Sequence, residues 1–282
     1  MTRRTRDEIR EIKDSIFKVC EEQRPMTVRQ LFYQLASVLQ VVGKTEAEYK
    51  GTVCRLTGEM RLAGELPWPW LVDNTRWIRK PSSYGSMADC LERSAGAYRR
   101  SLWSHVPAYV EAWLEKDALS GVFYDVTAEY DVPLMVTRGY PSLSYVKAAA
   151  DQIIATGKPT WIYYFGDYDP SGADISRDCE AKVRRFAPEA EIHFERVAVQ
   201  DWQIDAWNLP TRPTKTKDSR SAGFGDTRSV EIDAIPPGRL RSMIRDVIAK
   251  HISSWEIEQL NKIQERERET LLSIAWDVRE VG

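Results

Sequence analysis

From residue 109 onward, short apolar runs alternate with helical stretches. YVEAWLE (109–115), PLMVT (133–137), TWIYYFG (160–166) and AEIHFERVAV (190–199) are separated by helical spacing over 117–130, 142–155 and 172–186. Strands recurring at this interval are joined by crossovers, which leads to a mostly parallel α/β sheet flanked by helices. Ligands of such sheets bind where the strands run out at their carboxyl ends. Glu115, Asp167 and Asp169 stand at two of those ends and are the first candidates for function.

The segment before residue 106 has another rhythm. Thr5 with Glu8 and Thr27 with Gln30 have capping-box spacing, and Thr45 can cap a third helix. Ile9, Ile12, Ile16 and Cys20 recur at helical intervals after the first cap, and Tyr49, Val53, Leu56 and Met60 after the third. Three short helices followed by LPWPWLVDNTRWIRK (66–80), read as a strand pair, fit a winged helix; a plain helical bundle fits the pattern equally. A further helix is expected over Ser86 to Trp103, and a linker over 104–108. The expected division is therefore a mainly α, winged-helix (CAP-like) domain over 1–105 and a Rossmann-like domain over 106–282. The latter ends in helices from VEIDAIPPGRLRSMIRDVIAKHI onward.

Composition narrows the chemistry. Residues 1–105 hold 18 basic and 13 acidic residues, whereas the remainder holds 22 and 29. A basic front half on an acidic back half suits a phosphate grip coupled to a carboxylate site, although chance asymmetry reads the same way. Cys20, Cys54, Cys90 and Cys179 are scattered without CxxC spacing, as reduced structural thiols are. His105, His193 and His251 lie far apart in sequence, which argues against a zinc site and against a histidine-based triad. The charged start MTRRTRDEIREIKD and the lack of a long apolar run lead to the expectation of a cytoplasmic protein without membrane contact. Carboxylates are left to do the work of an enzyme.

Two aspartates two residues apart at a strand end point the same way, and Pro170, Ser171 and Gly172 then turn the chain into a helix. Three carboxylates on one sheet edge repel each other unless a cation lies between them. Oxygen ligands alone favour Mg²⁺ or Mn²⁺, which would stabilise charge on the attacking and leaving oxygens of a phosphodiester. An Asp-x-Asp pair also serves haloacid-dehalogenase phosphatases and metal-nucleotide glycosyltransferases, and strand-end carboxylates can simply be solvated. A phosphatase, however, more often carries the pair on its first strand. Here a glutamate strand precedes it.

VEAWLEKDAL, RGYPS and YYFGDYDPSG together resemble the Toprim domain of the topoisomerase VI A subunit and its relative, the meiotic double-strand-break protein. The likeness runs through Glu115, Gly139 to Pro141, Asp167, Asp169 and Gly172, covers roughly residues 109–200, and extends toward VEIDAIPP at 230–237. It implies Mg²⁺ held by Glu115, Asp167 and Asp169, with Glu115 also as general acid/base. The A subunits of that family carry a nucleophilic tyrosine in a motif Arg-x-aliphatic-aromatic-Tyr, which TVRQLFYQL matches with Arg29, Leu31, Phe32 and Tyr33. Phe32 stands where many relatives have a second tyrosine. Independently, Leu31, Phe32, Leu35, Val38 and Leu39 cluster on one arc of a helix, and Tyr33 falls roughly 155° from its centre, beside Arg29. Tyr33 is thus expected to point away from the core, with Arg29 assisting it.

The resemblance implies transesterification. Tyr33 would attack double-stranded DNA, displace a 3′ oxygen and keep a 5′-phosphotyrosyl bond, in a homodimer whose tyrosine meets the partner's metal site. No gyrase-like (GHKL-type) ATPase module is recognisable in the sequence, so strand passage would need a separate B subunit. A Toprim endonuclease using water and a non-catalytic DNA-binding protein remain open, as does a nucleoid setting. Residues expected to reach DNA are Arg55 and Arg76 in the front half, Lys116 beside the site, Arg138 and Tyr140 around Gly139, and Lys215 and Lys217. The last two sit in a polar stretch over 208–229 that either orders on a polyanion or merely connects.

Overall fold

A computed structural model of the chain describes residues 4–72, 81–214 and 224–281. The N-terminal helices begin where their caps dictate. Helix α1 (Arg6–Gln23) opens with Thr5 and Glu8 capping each other, and α2 (Val28–Tyr33) does so with Thr27 and Gln30. The chain then widens into a π-helical turn over Gln34–Val38, passes through α3 (Glu46–Glu48), widens again over Tyr49–Cys54 and continues as α4 (Arg55–Leu62). Ile12, Ile16, Leu31, Phe32, Leu35 and Leu56 form the centre of this unit. Each such side chain stabilises the fold by about 1.5–3 kcal/mol through burial. Val38 and Leu39, placed on the apolar arc by ideal helix geometry, are exposed because the wider turn rotates them off it.

The Pro/Trp-rich stretch forms a single 3₁₀ turn, Trp68–Trp70, followed by an isolated parallel bridge between Leu71 and Met26. Pro67 and Pro69 remove two ladder donors there, so residues 66–72 do not make the expected strand pair. Residues 73–80, Arg76 among them, lie outside the described residues. Helix α5 (Met87–Ala97) starts at its Ser86 cap but stops short of Trp103. At Tyr98 the chain turns extended, and the Tyr98 carbonyl accepts from the Arg268 guanidinium at 2.7 Å.

The second unit carries four parallel strands, β1 (Tyr109–Leu114), β2 (Leu134–Val136), β3 (Thr160–Phe165) and β4 (Ile192–Ala198), in the order β2-β1-β3-β4. Both faces are covered. Val110, Ala112, Leu114, Tyr163 and Phe165 pack toward α6 (Ser120–Glu129), whereas Trp113, Ile162 and Tyr164 pack toward α7 (Leu143–Thr156) and α8 (Pro170–Phe186). Alternation along each strand divides these residues between the two layers.

After β4 come α9 (Asp201–Ala206) and the short antiparallel pair β5 (Arg212–Pro213) with β6 (Arg228–Ser229). Helix α10 (Pro237–Ile248) packs beside α6, and α11 (Ser254–Val281) runs along α5. Among the described residues, no helix is long and apolar enough to cross a membrane.

The strand order fixes where a site can lie. From β1 the chain moves to β2 on one side, then crosses to β3 on the other, so winding reverses between β1 and β3. The crevice of a doubly wound sheet opens at that reversal, outside the carboxyl ends. Glu115 directly follows β1, and Asp167 lies just beyond β3.

Candidate active site

Glu115 and Asp167 meet at the reversal point. The Asp167 backbone N–H donates to Glu115 Oε2 at 3.2 Å, and the Tyr164 hydroxyl approaches the same oxygen at 3.4 Å. Burial pushes the Glu115 carboxyl up to about 7, helped by the charge of Asp167 and opposed by the Asp167 N–H and by Arg196. Burial likewise raises Asp167, to about 6, against the pull of the Lys116 ammonium and a 2.8 Å hydrogen bond from the Ile232 N–H to its Oδ1. Asp169 caps α8, accepting from the Gly172 N–H at 2.7 Å. Its charge is felt by Glu115.

The turn between β3 and α8 is built around missing side chains. A Cβ added at Gly166 would sit 2.4 Å from Glu115 Oε2, and one at Gly172 would sit 2.2 Å from the Asp167 carbonyl oxygen. Only glycine lets the carboxylates and the backbone approach this closely. The half-buried Arg196 guanidinium closes the turn from β4, donating to the carbonyls of Gly166 at 3.3 Å, Gly172 at 3.0 Å and Asp167.

Lys116 stands beside the pair as its internal counter-charge. Its ammonium lies 3.7 Å from Asp167 Oδ2 and 3.0 Å from Glu231 Oε2, and also pairs with the fully buried Asp233. Burial alone would lower the lysine's proton affinity, but Asp233, Asp167 and Glu231 together raise it. Lys116 is therefore turned into the acidic cluster rather than outward.

Tyr33 does point away from the N-terminal core, to whose central cluster it does not belong, yet it is only 2% exposed. The expectation of an outward, accessible phenol rested on one helix considered alone. The face it presents is covered by the sheet unit, and the Arg212 guanidinium donates to its hydroxyl at 2.8 Å. Burial, then the charge of Glu231, holds the phenol well above its ordinary range. Arg29 is occupied elsewhere: it donates to Glu46 at 3.0 Å and lies 3.9 Å above the Tyr49 ring. Arg212 takes the place at the hydroxyl that the motif assigned to Arg29.

The other candidates are dispersed. Arg55 pairs with Glu59 on its own helix at 2.7 Å. Arg138 reaches Asp117 at 3.0 Å, and the Tyr140 hydroxyl bonds to Asp174 on α8. Lys215 and Lys217 lie outside the described residues. Three participants escaped the sequence reading, Arg196, Glu231 and Asp233, and Arg212 entered it only as a basic residue of the polar stretch 208–229. The Glu-x-Asp spacing of VEID and an arginine inside a strand of a covered sheet were the available signals.

A cavity of about 340 Å³ opens over this edge, lined by Asp167, Asp169, Ser171, Arg212 and Glu231 among others. As arranged, no three acidic, histidine or cysteine side chains among the described residues enclose a metal position. The donor set nevertheless fits a hard divalent cation. It is all oxygen, and the charge of Asp167 raises the Glu115 carboxyl, the mutual repulsion that a cation would relieve. Fold and site together define a doubly wound parallel-sheet protein with a half-buried acidic pair at its reversal point. Comparison with protein-family models and with curated proteins finds no match for the chain.

Proposed function

We propose that the chain is a divalent-cation-dependent enzyme that cleaves phosphodiester bonds of double-stranded DNA with water as the nucleophile. The observation that carries this reading is the Glu115–Asp167 pair at the sheet's reversal point, with Glu115 raised to about 7. A carboxyl poised near neutrality both accepts and returns a proton at physiological pH. In the proposed step the oxygen of water attacks phosphorus while Glu115 takes its proton. The P–O bond to the leaving oxygen breaks, and that oxygen takes up the proton that Glu115 returns. Asp167 and Asp169 would hold Mg²⁺ or Mn²⁺, leaving Glu115 to handle the proton, and the cation when bound would supply charge stabilisation to the phosphate oxygens. Arg212 adds fixed positive charge to the cavity lining, and Lys116 adds it beside Asp167.

The buried, hydrogen-bonded Tyr33 favours water over the phenol as nucleophile. A second reading keeps the tyrosine: its hydroxyl is one residue removed from the acidic cavity, through Arg212, within the same chain. Opening that contact would expose a nucleophile beside the carboxylates. The likeness to topoisomerase VI A subunits, a winged-helix role for the N-terminal unit, a homodimer and a separate ATPase subunit belong with this second reading. Incubation with supercoiled plasmid and Mg²⁺, followed by denaturation and analysis of 5′ ends, separates the two. Protein-free ends from wild type and from Tyr33→Phe support hydrolysis. A covalent adduct lost in Tyr33→Phe replaces it with transesterification. Absence of any cleavage refutes both.

A further inference from the structure

Glu231 is held in a way that none of the proposed chemistry requires. Its Oε1 accepts from the Arg212 guanidinium at 2.6 Å and its Oε2 from the Lys116 ammonium at 3.0 Å, and the Tyr33 hydroxyl lies against it. Lys44 is near enough to sense the charges of both Arg212 and Glu231. These groups come from four separate segments: α2, the loop before α3, the end of β1, and β5. Burial would raise the Glu231 carboxyl, but the Lys116 charge, hydrogen bonds from Lys116 and Tyr33, and Arg212 hold it below the ordinary carboxylate range.

A guanidinium, an ammonium and a hydroxyl converging on two anionic oxygens is also the arrangement that receives a phosphate. The position adjoins the acidic pair, because the same Lys116 ammonium lies 3.7 Å from Asp167 Oδ2. It also opens to solvent, since the Arg212 side chain is 48% exposed, that of Glu231 is 29% exposed, and both line the cavity over Asp167 and Asp169. We propose that Lys116, Arg212 and the Tyr33 hydroxyl form a subsite for a backbone phosphate, and that Glu231 fills it as an internal substitute which the nucleic acid displaces. The identity of the ligand as a nucleic-acid phosphate rests on the phosphodiester-cleavage reading above. Displacement exchanges one anion for another on the same donors, so the cation pair is never left bare. It also swings a negative charge away from the incoming strand.

The test is binding of a fluorescently labelled DNA duplex in chelator, where no cleavage intervenes, followed by anisotropy across a salt series. Glu231→Gln is expected to bind about tenfold tighter than wild type, because the competing charge is gone while the side-chain shape is kept. Arg212→Gln is expected to bind more weakly, with a salt slope smaller by about one unit, as loss of one phosphate contact requires. A Glu231→Gln chain that binds no tighter, with the Arg212→Gln slope unchanged, overturns the subsite. Should Glu231→Gln fail to fold, the Arg212→Gln slope decides alone. Thermal denaturation in inorganic phosphate supplies an arm independent of DNA. If phosphate stabilises Glu231→Gln but not wild type, and neither binds duplex, the anion subsite stands and the DNA-cleavage reading falls. If wild type cuts DNA but neither variant shifts binding, the reverse holds.

Discussion

The two units of this chain hold their key residues by different means. In the sheet unit, strand period and strand order place Glu115 and Asp167, so each position follows from alternation and from the reversal between β1 and β3. In the N-terminal unit, helix phase turns Tyr33 away from its own core, but what Tyr33 meets is set by the other unit, through Arg212 and Glu231. The acidic pair is thus built by local backbone geometry, whereas the tyrosine's environment is built by docking. Substitutions at the first should destroy the site outright, and those at the second should retune it.

The largest effect is expected at Asp167. Asp167→Ala should lower cleavage by about 100-fold or more, the scale on which loss of a charge-stabilising group acts, while far-UV circular dichroism stays unchanged. In the hydrolytic reading Tyr33→Phe should keep cleavage within about tenfold, since the phenol is not the nucleophile and its loss removes hydrogen bonds rather than a charge. Equal losses in both variants, measured by plasmid nicking, would erase the distinction between the units.

Next comes Gly172→Ala. With the new Cβ 2.2 Å from a backbone carbonyl, no flexible side chain can yield. Destabilisation of about 2–4 kcal/mol is expected in urea denaturation. Gly58→Ala in the N-terminal unit meets nothing within 4 Å and should be neutral or mildly stabilising, as removing a helical glycine is.

A pH effect on stability follows from Glu115. Its folded value, about 7, lies above the 4.5 of an ordinary glutamate carboxyl, so the fold prefers the protonated form. That preference is fully present below about pH 4.5 and is lost as pH rises through 7. Relative to Glu115→Gln, chelator-treated wild type should therefore lose about 2–3 kcal/mol between pH 4.5 and pH 8. A constant difference across that range, in denaturant titrations at each pH, would show the carboxyl to be solvated. At the interface between units, Tyr33→Phe should cost about 1–3 kcal/mol, the net value of the two hydrogen bonds its hydroxyl makes with Arg212 and Glu231.

The same contrast explains what the sequence disclosed. Capping boxes at Thr5 and Thr27, four strands within a residue or two of their apolar runs, and Asp169 at a helix start all follow from local rules. Glu115 and Asp167 were legible because two adjacent parallel strands must end side by side. Arg196, Glu231 and Asp233 were not, nor was the part Arg212 plays beside Tyr33, because these roles depend on which sequence-distant groups they reach. Arg196 spends its donors on carbonyls of the β3–α8 turn, a partnership no spacing announces. The stretch 66–72 misled because aromatic content suggested strands where Pro67 and Pro69 withhold the donors a ladder needs.

The most direct measurement is nicking of supercoiled plasmid by purified wild type and Asp167→Ala, with Mg²⁺ and with chelator. If the acidic pair is a cutting centre, wild type produces open circles only with the cation, and Asp167→Ala produces them about 100-fold more slowly or not at all. Cleavage by Asp167→Ala at close to the wild-type rate, or cleavage that proceeds in chelator, would contradict it.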